Sequence, residues 1–214
     1  KTAYLPLLEE QPSNLFFIRP RRFGKSIFLS MLRAYYDINQ KGAFQKRFGN
    51  LWIGSHPTPL QGKFQILYLD FSRVGGFGGT LAQNFDDYCS GGLDDFAQIY
   101  ESYYYPGFRS EMKEQSGFSN KLNFLDRKAR NTDASLYLII DEYDNFTNQL
   151  LTSYNDPLYE KVTTRDSFLR TFFKVIKKGI GEGSIRTCFC TGVLPVTMDD
   201  LTSGYNIAEI LTLK

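Results

Sequence analysis

The chain has 214 residues, 42% of them apolar and 22% charged, which excludes a disordered tail, a collagen-like repeat and a disulfide-stapled miniprotein. Its 25 basic and 23 acidic residues leave a net charge of +2, a balance that neither favours nor excludes a nucleic-acid partner, because clustering matters more than the sum. No run approaches the roughly 18–20 apolar residues that span a bilayer, and residues 1–10 hold no apolar signal core, so the expectation is one intracellular domain over 1–214, cytoplasmic or nuclear, away from membranes.

Leu15 to Ile18 is a short, continuous apolar run, the pattern of a strand buried on both faces. From Lys25 the pattern turns helical, with Ile27, Phe28, Met31, Leu32 and Tyr35 on one stripe, fading near Asp37 to Gly42. His56, the single histidine, falls in a proline-flanked loop with no partner for a zinc site or a triad. Gln65 to Phe71 reads as a second strand, followed by the glycine-dense loop Arg73 to Thr80. Leu81 to Tyr100 reads as a helix broken at Ser90-Gly91-Gly92. Tyr103, Tyr104, Tyr105 and Phe108 suit either a contact surface or a self-packed loop. A helix over Phe118 to Arg130 leads to a third strand, Leu136 to Ile140. A helix over Thr163 to Lys178, with Gly179 near its end, precedes a fourth strand, Ile185 to Thr191, and Glu209 to Leu213 is strand-like. Cys188 and Cys190 share one face of the fourth strand and read as core, and the odd count of cysteines suits a reducing compartment. Buried strands alternating with helices predict an α/β fold, a parallel sheet with helices on both faces.

The sharpest motif is Arg19-Pro20-Arg21-Arg22-Phe23-Gly24-Lys25-Ser26, where the first strand ends and the first long helix begins. A P-loop reads G-x-x-x-x-G-K-[ST] in that setting. Backbone N–H groups and the positive end of the helix dipole converge there on phosphate oxygens. The candidate nucleotide-binding residues are Arg21, Arg22, Phe23, Gly24, Lys25, Ser26 and Ile27. Gly24 lets the backbone approach, Lys25 reaches the β- and γ-phosphates, and the Ser26 hydroxyl is a magnesium ligand. Arg19 stands where the strict motif has glycine, so the first turn is built differently.

A second pattern matches the first. Leu136 to Ile140 ends in Asp141-Glu142, an apolar strand closed by two acids, the Walker B pattern. Asp141 is the candidate for the magnesium shell and Glu142 the candidate general base. This strand is expected beside the P-loop strand. Asp144 either orients Glu142 or an arginine, or caps a helix. Thr191, closing the fourth strand, either senses the γ-phosphate and positions water or is a turn threonine; Asp70, closing the second strand, is a weaker candidate.

These residues resemble a known family. FFIRPRRFGKSIFLSMLRAYYD (Phe16 to Asp37), YLDFS (Tyr68 to Ser72), LIIDEYDNF (Leu138 to Phe146) and TGVLPVTMDDLTSGYNIAEILTL (Thr191 to Leu213) are similar to the AAA-ATPase-like domain family, as is the opening Lys1-Thr2. The resemblance implies an ASCE-type P-loop NTPase fold, AAA-like, with an extra strand between the P-loop strand and the Walker B strand. It implies ATP as the nucleotide, and a P-loop that ordinarily lacks the first glycine. Many members carry a following PD-(D/E)XK nuclease-like domain, so the expectation is a fragment of a longer protein whose partner is that domain or a second copy.

The leading expectation is therefore Mg²⁺-dependent binding and hydrolysis of ATP, coupled to a partner domain. The alternative is a nucleotide-binding switch or interaction module with little hydrolysis. Arg165, Arg170 and Arg186 are candidate arginine fingers. Nucleic-acid binding by the basic loop lacks supporting basic clusters elsewhere.

Overall fold

The computed structural model describes residues 1–75, 80–145 and 168–193, together with the backbone of 209–211. Five strands form one sheet: β1 (Asn14–Ile18), β2 (Phe64–Asp70), β3 (Ser135–Asp141), β4 (Ile185–Gly192) and β5 (Glu209–Leu211). Every pairing is parallel, in the order β2-β3-β4-β1-β5. The first four strands begin and end within one residue of the apolar runs that predict them. That agreement follows from burial on both faces, which leaves each run mostly apolar.

The alternation of side chains divides the interior into two cores. On one face Leu15, Phe17, Tyr137, Ile139 and Phe189 pack against α2 (Lys25–Tyr36), through Phe28, Leu29, Leu32, Tyr35 and Tyr36. Two short helices, α3 (Phe44–Phe48) and α4 (Trp52–Ser55), add Phe48 and Ile53 there. The N-terminal helix α1 (Leu5–Glu9) and the 3₁₀ turn before it, Thr2–Tyr4, lie on the same side, with Leu5 in that core. On the other face Phe16, Leu138, Ile140, Cys188 and Cys190 meet α5 (Leu81–Ile99), α6 (Phe108–Glu114), α7 (Phe118–Ala129) and α8 (Phe168–Gly181). Phe172 of α8 joins these helices, with its ring stacked on Phe118 at 4.6 Å and edge-on to Phe85 at 5.2 Å. Cys188 and Cys190 are buried and unbridged, their Sγ atoms 3.7 Å apart, as core residues on one face.

Two expectations change, and one left open is resolved. The helix 81–99 runs unbroken through Ser90-Gly91-Gly92. A Cβ at Gly92 would sit 2.7 Å from Leu69 Cδ2, so glycine there admits α5 close against β2. A Thr80–Gln83 capping box and the buried stripe Phe85, Cys89, Leu93 and Phe96 outweigh the roughly 1 kcal/mol that each helical glycine costs. The tyrosine-rich segment is self-packed. Tyr104 stacks on the buried Phe108 at 3.8 Å and donates its hydroxyl to Gln65 Oε1 at 2.5 Å. Finally, β3 is not beside β1: β4 lies between them, as the family resemblance implies. The predicted start of the last long helix, 163–167, lies outside the described residues, and α8 continues past Gly179 to Gly181. No helix among the described residues is long and apolar enough to cross a membrane.

Candidate functional site

All strands are parallel, so their C-terminal ends share one edge. Ile18 is level with Gly192, and Asp70 with Asp141. The loop after β1 begins with Arg19 N donating to Gly192 O at 3.0 Å. Arg22 and Gly24 then take positive φ, 68° and 77°, with Phe23 on the negative side between them. Alternating φ signs turn successive N–H groups toward a common point, a concavity that suits anions. For Arg22 the left-handed region is unusual, and such conformations persist where the surroundings enforce them. Gly24 is the N-cap of α2 and supplies no side-chain cap, so the first N–H groups of the helix remain for a ligand.

Lys25 is only 8% exposed, and its ammonium donates to Arg19 O at 3.1 Å across the loop. Ser26 is exposed on the first turn. Phe23 and Ile27, apolar residues of the same segment, are each 66% exposed. Arg21 and Arg22 face solvent, and no ion pair reaches them among the described residues.

Across the sheet, Asp141 at the end of β3 is 7% exposed. Its Oδ1 accepts from the hydroxyl of the wholly buried Thr191 and from Glu142 N at 3.0 Å. No hydrogen bond from the described residues reaches Oδ2, which leaves that oxygen available. Thr191 is level with Phe17 on β1, so at about 4.8 Å per strand Asp141 stands about 10 Å across the sheet from the end of β1. Glu142 is half-buried and has φ 50°, a strained conformation that turns the chain sharply where the strand ends. The neighbouring Tyr68 phenol is pushed up to about 12, first by burial and then by the carboxylates of Asp141 and Asp70.

The turn after β3 is held from three sides. Tyr143 N donates to Thr191 O at 3.0 Å, and the Tyr143 ring stands edge-on to Phe16 at 5.1 Å. Asp144 is buried and accepts from Val193 N at 2.8 Å, so it ties the turn to the end of β4; the helix it is expected to cap lies outside the described residues. Asn145 Nδ2 donates to Phe71 O at 3.0 Å. A Cβ at Gly192 would run into the Tyr143 ring and lie 2.8 Å from Asp144 Oδ1.

Thr191 and Asp141 are thus bonded to each other, and Asp70 lies level with Asp141 on the neighbouring strand. Asp70 is occupied locally, by Ser72 N at 3.1 Å, Ser72 Oγ at 2.6 Å and Arg73 Nε at 3.1 Å. Arg186 lies near the start of β4, on the opposite edge of the sheet, about 20 Å from Gly192 at 3.3 Å per residue. A cis arginine finger at that position is excluded. Arg170 is in the first turn of α8, and Arg165 lies outside the described residues. His56 stacks on Trp52 at 4.3 Å, and its Nδ1 is hydrogen-bonded with Trp52 O at 2.9 Å. Two residues that sequence reasoning missed belong to this edge. Gly192 is required by the packing of Tyr143, and Lys1 rests its ammonium against Gly24. No spacing rule signals either, because each is a contact between distant segments.

A parallel sheet in this order, with a helix-opening loop after β1 and an acidic end on β3, defines an α/β fold of the P-loop NTPase kind. The family model described as a predicted AAA-ATPase matches residues 1–202, and the chain belongs to that family. Among curated proteins none matches the chain.

Proposed function

We propose that this chain binds a nucleoside triphosphate, ATP, together with Mg²⁺ at the edge formed by β1, β4 and β3, and hydrolyses its β–γ bond. One observation carries the reading. A cradle of N–H groups with a buried lysine closes β1, and an oriented carboxylate closes β3, about 10 Å away across one intervening strand. Phosphates fit the first element: Arg21, Arg22, Phe23, Gly24 and Ile27 line the loop, and Lys25 exchanges its bond to Arg19 O for phosphate oxygen. Magnesium fits the second, since it takes hard oxygen ligands and keeps several waters. Ser26 Oγ and Asp141 Oδ2 are such donors, and no cluster of three His, Cys, Asp or Glu exists among the described residues to hold a cation without substrate. When bound, the cation neutralises charge on the β- and γ-oxygens.

Glu142 takes the proton of the attacking water, whose oxygen bonds to the γ-phosphorus as the β–γ bridging bond breaks to give ADP and phosphate. Thr191 serves as a positioning residue that holds Asp141 by its hydroxyl. A nuclease-like domain or a second copy of the chain is the proposed partner of turnover. A slow nucleotide switch is the second reading, favoured by the position of Arg186 on the wrong edge.

The test is a titration of wild-type protein and Lys25→Ala with labelled ATP and GTP, with and without Mg²⁺, with turnover followed in the same samples. Loss of a charge-assisted contact in Lys25→Ala weakens binding by about tenfold or more. Equal affinity in the two proteins refutes the P-loop reading. Binding without turnover favours the switch.

A further inference from the structure

The first nine residues form a strap that runs beside α2. At its far end Glu9 Oε1 accepts from Tyr36 Oη at 3.0 Å and from Thr58 Oγ1 at 2.6 Å, at the C-terminal end of α2. In the middle Leu5 is wholly buried, in the same core as Phe28, Leu29 and Leu32. At the near end Thr2 is buried, and Tyr4 N donates to Lys1 O at 3.1 Å. The backbone of Lys1 is therefore anchored at the N-terminal end of α2. Its side chain passes over the phosphate-type loop. The ammonium fills the place a Cβ would take at Gly24, with Lys1 Cε 3.8 Å from that position. Gly24 adopts the left-handed conformation of the loop, and the Lys1 ammonium, delivered by another segment, rests against it.

No carboxylate among the described residues pairs with that cation. Among the described residues Lys1, Arg21, Arg22 and Lys25 make no ion pair. Four positive groups on one loop repel one another until an anion joins them. Lys25 approaches the loop from the start of α2, and Lys1 approaches it from the strap.

Resting on the nucleotide reading above, we propose that Lys1 is a second phosphate-contacting lysine of the site, supplied in cis by the N-terminal strap. Its ligand is the phosphate chain of the bound nucleotide, on which it places a positive charge in addition to that of Lys25. The strap thereby links occupancy of the loop to the packing of Leu5 and the Glu9–Tyr36 bond at the other end of α2.

The experiment compares wild type, Lys1→Ala, Lys1→Gln, Lys1→Arg and Lys25→Ala, each expressed with a methionine ahead of residue 1 so that no α-ammonium stands on Lys1 itself. Calorimetric ATP affinity is measured at several salt concentrations, with thermal melting without nucleotide as the control for folding. Lys1→Ala and Lys1→Gln are expected to weaken ATP by about tenfold and to flatten the salt dependence, as for loss of one charge-assisted contact. Lys1→Arg keeps the charge and stays near wild type. Melting without nucleotide is not lowered in any of the three, because the Lys1 side chain is exposed and loss of its charge only relieves repulsion in the loop. If wild type and Lys25→Ala differ while Lys1→Ala and Lys1→Gln match wild type in affinity and salt dependence, the role of Lys1 is overturned and the P-loop reading stands. If wild type itself binds no nucleotide, the P-loop reading fails and takes this one with it.

Discussion

Replacing Thr191 with valine removes one buried hydroxyl and keeps the branched shape of the side chain. Thr191 is 0% exposed, and its hydroxyl donates to the carboxylate of Asp141, itself 7% exposed. A hydrogen bond to a charged group is worth about 1.5–3 kcal/mol. Glu142 N still donates to the same oxygen at 3.0 Å, so the charge is not orphaned, and the lower part of that range, about 1.5–2 kcal/mol, applies. For a chain of this size each kcal/mol moves the melting temperature by about 2–4 °C, so Thr191→Val is expected to melt about 3–8 °C below wild type. Freed from Thr191, Asp141 also loses its set orientation. Outer partners of metal ligands typically control affinity by about 10–100-fold, so Mg²⁺-dependent nucleotide affinity falls by about tenfold or more, while Mg²⁺-free binding does not change. Thr191→Ser separates the two effects. It loses a buried methyl, worth about 1 kcal/mol, but keeps the donor and hence the Mg²⁺ dependence. Scanning calorimetry and paired titrations with and without Mg²⁺ make the measurement. A valine variant with wild-type Mg²⁺ dependence refutes the positioning role of Thr191, whatever its melting temperature.

Glu142→Gln is expected to bind Mg²⁺–ATP normally and to turn over at least about 10²-fold more slowly, the usual scale for loss of a general base; single-turnover phosphate release measures it, and an unchanged rate removes Glu142 from that role. Asp126 gives a pH signature far from the site. Burial alone raises its carboxyl, but hydrogen bonds with Ser184, Glu182 and Arg130, together with the Arg130 charge, hold it below the ordinary carboxylate range. The folded state then binds that proton less tightly than the unfolded chain. Its stabilisation is present above the unfolded value of about 3.9 and fades as pH falls through the lower folded value. Asp126→Asn is expected to melt lower than wild type near about pH 7, with the gap closing below about pH 4; a gap that stays constant in thermal melts across that range refutes the assignment.

Local pattern determined a good deal. Leu15 to Ile18, Gln65 to Phe71, Leu136 to Ile140 and Ile185 to Thr191 read as strands because segments buried on both faces are mostly apolar, with polar residues such as Arg186 confined to their ends. Gly24, Lys25 and Ser26 between strand and helix, and Asp141-Glu142 at a strand end, are legible for the same reason: each motif is contiguous. Tertiary structure decided what contiguity cannot encode. Gly91-Gly92 reads as a helix breaker until Leu69 is seen pressed against Gly92. Strand order, with β4 between β1 and β3, depends on which sheet edges accept which partners and has no local signature. The hydrogen bond from Thr191 to Asp141 joins residues fifty positions apart, which no local pattern announces. Arg186 was removed as a finger by the direction of its strand, and Lys1 was brought to Gly24 by the burial of Leu5 and Thr2. Such contacts are products of packing, in which burial of a core residue fixes where a distant side chain must stand.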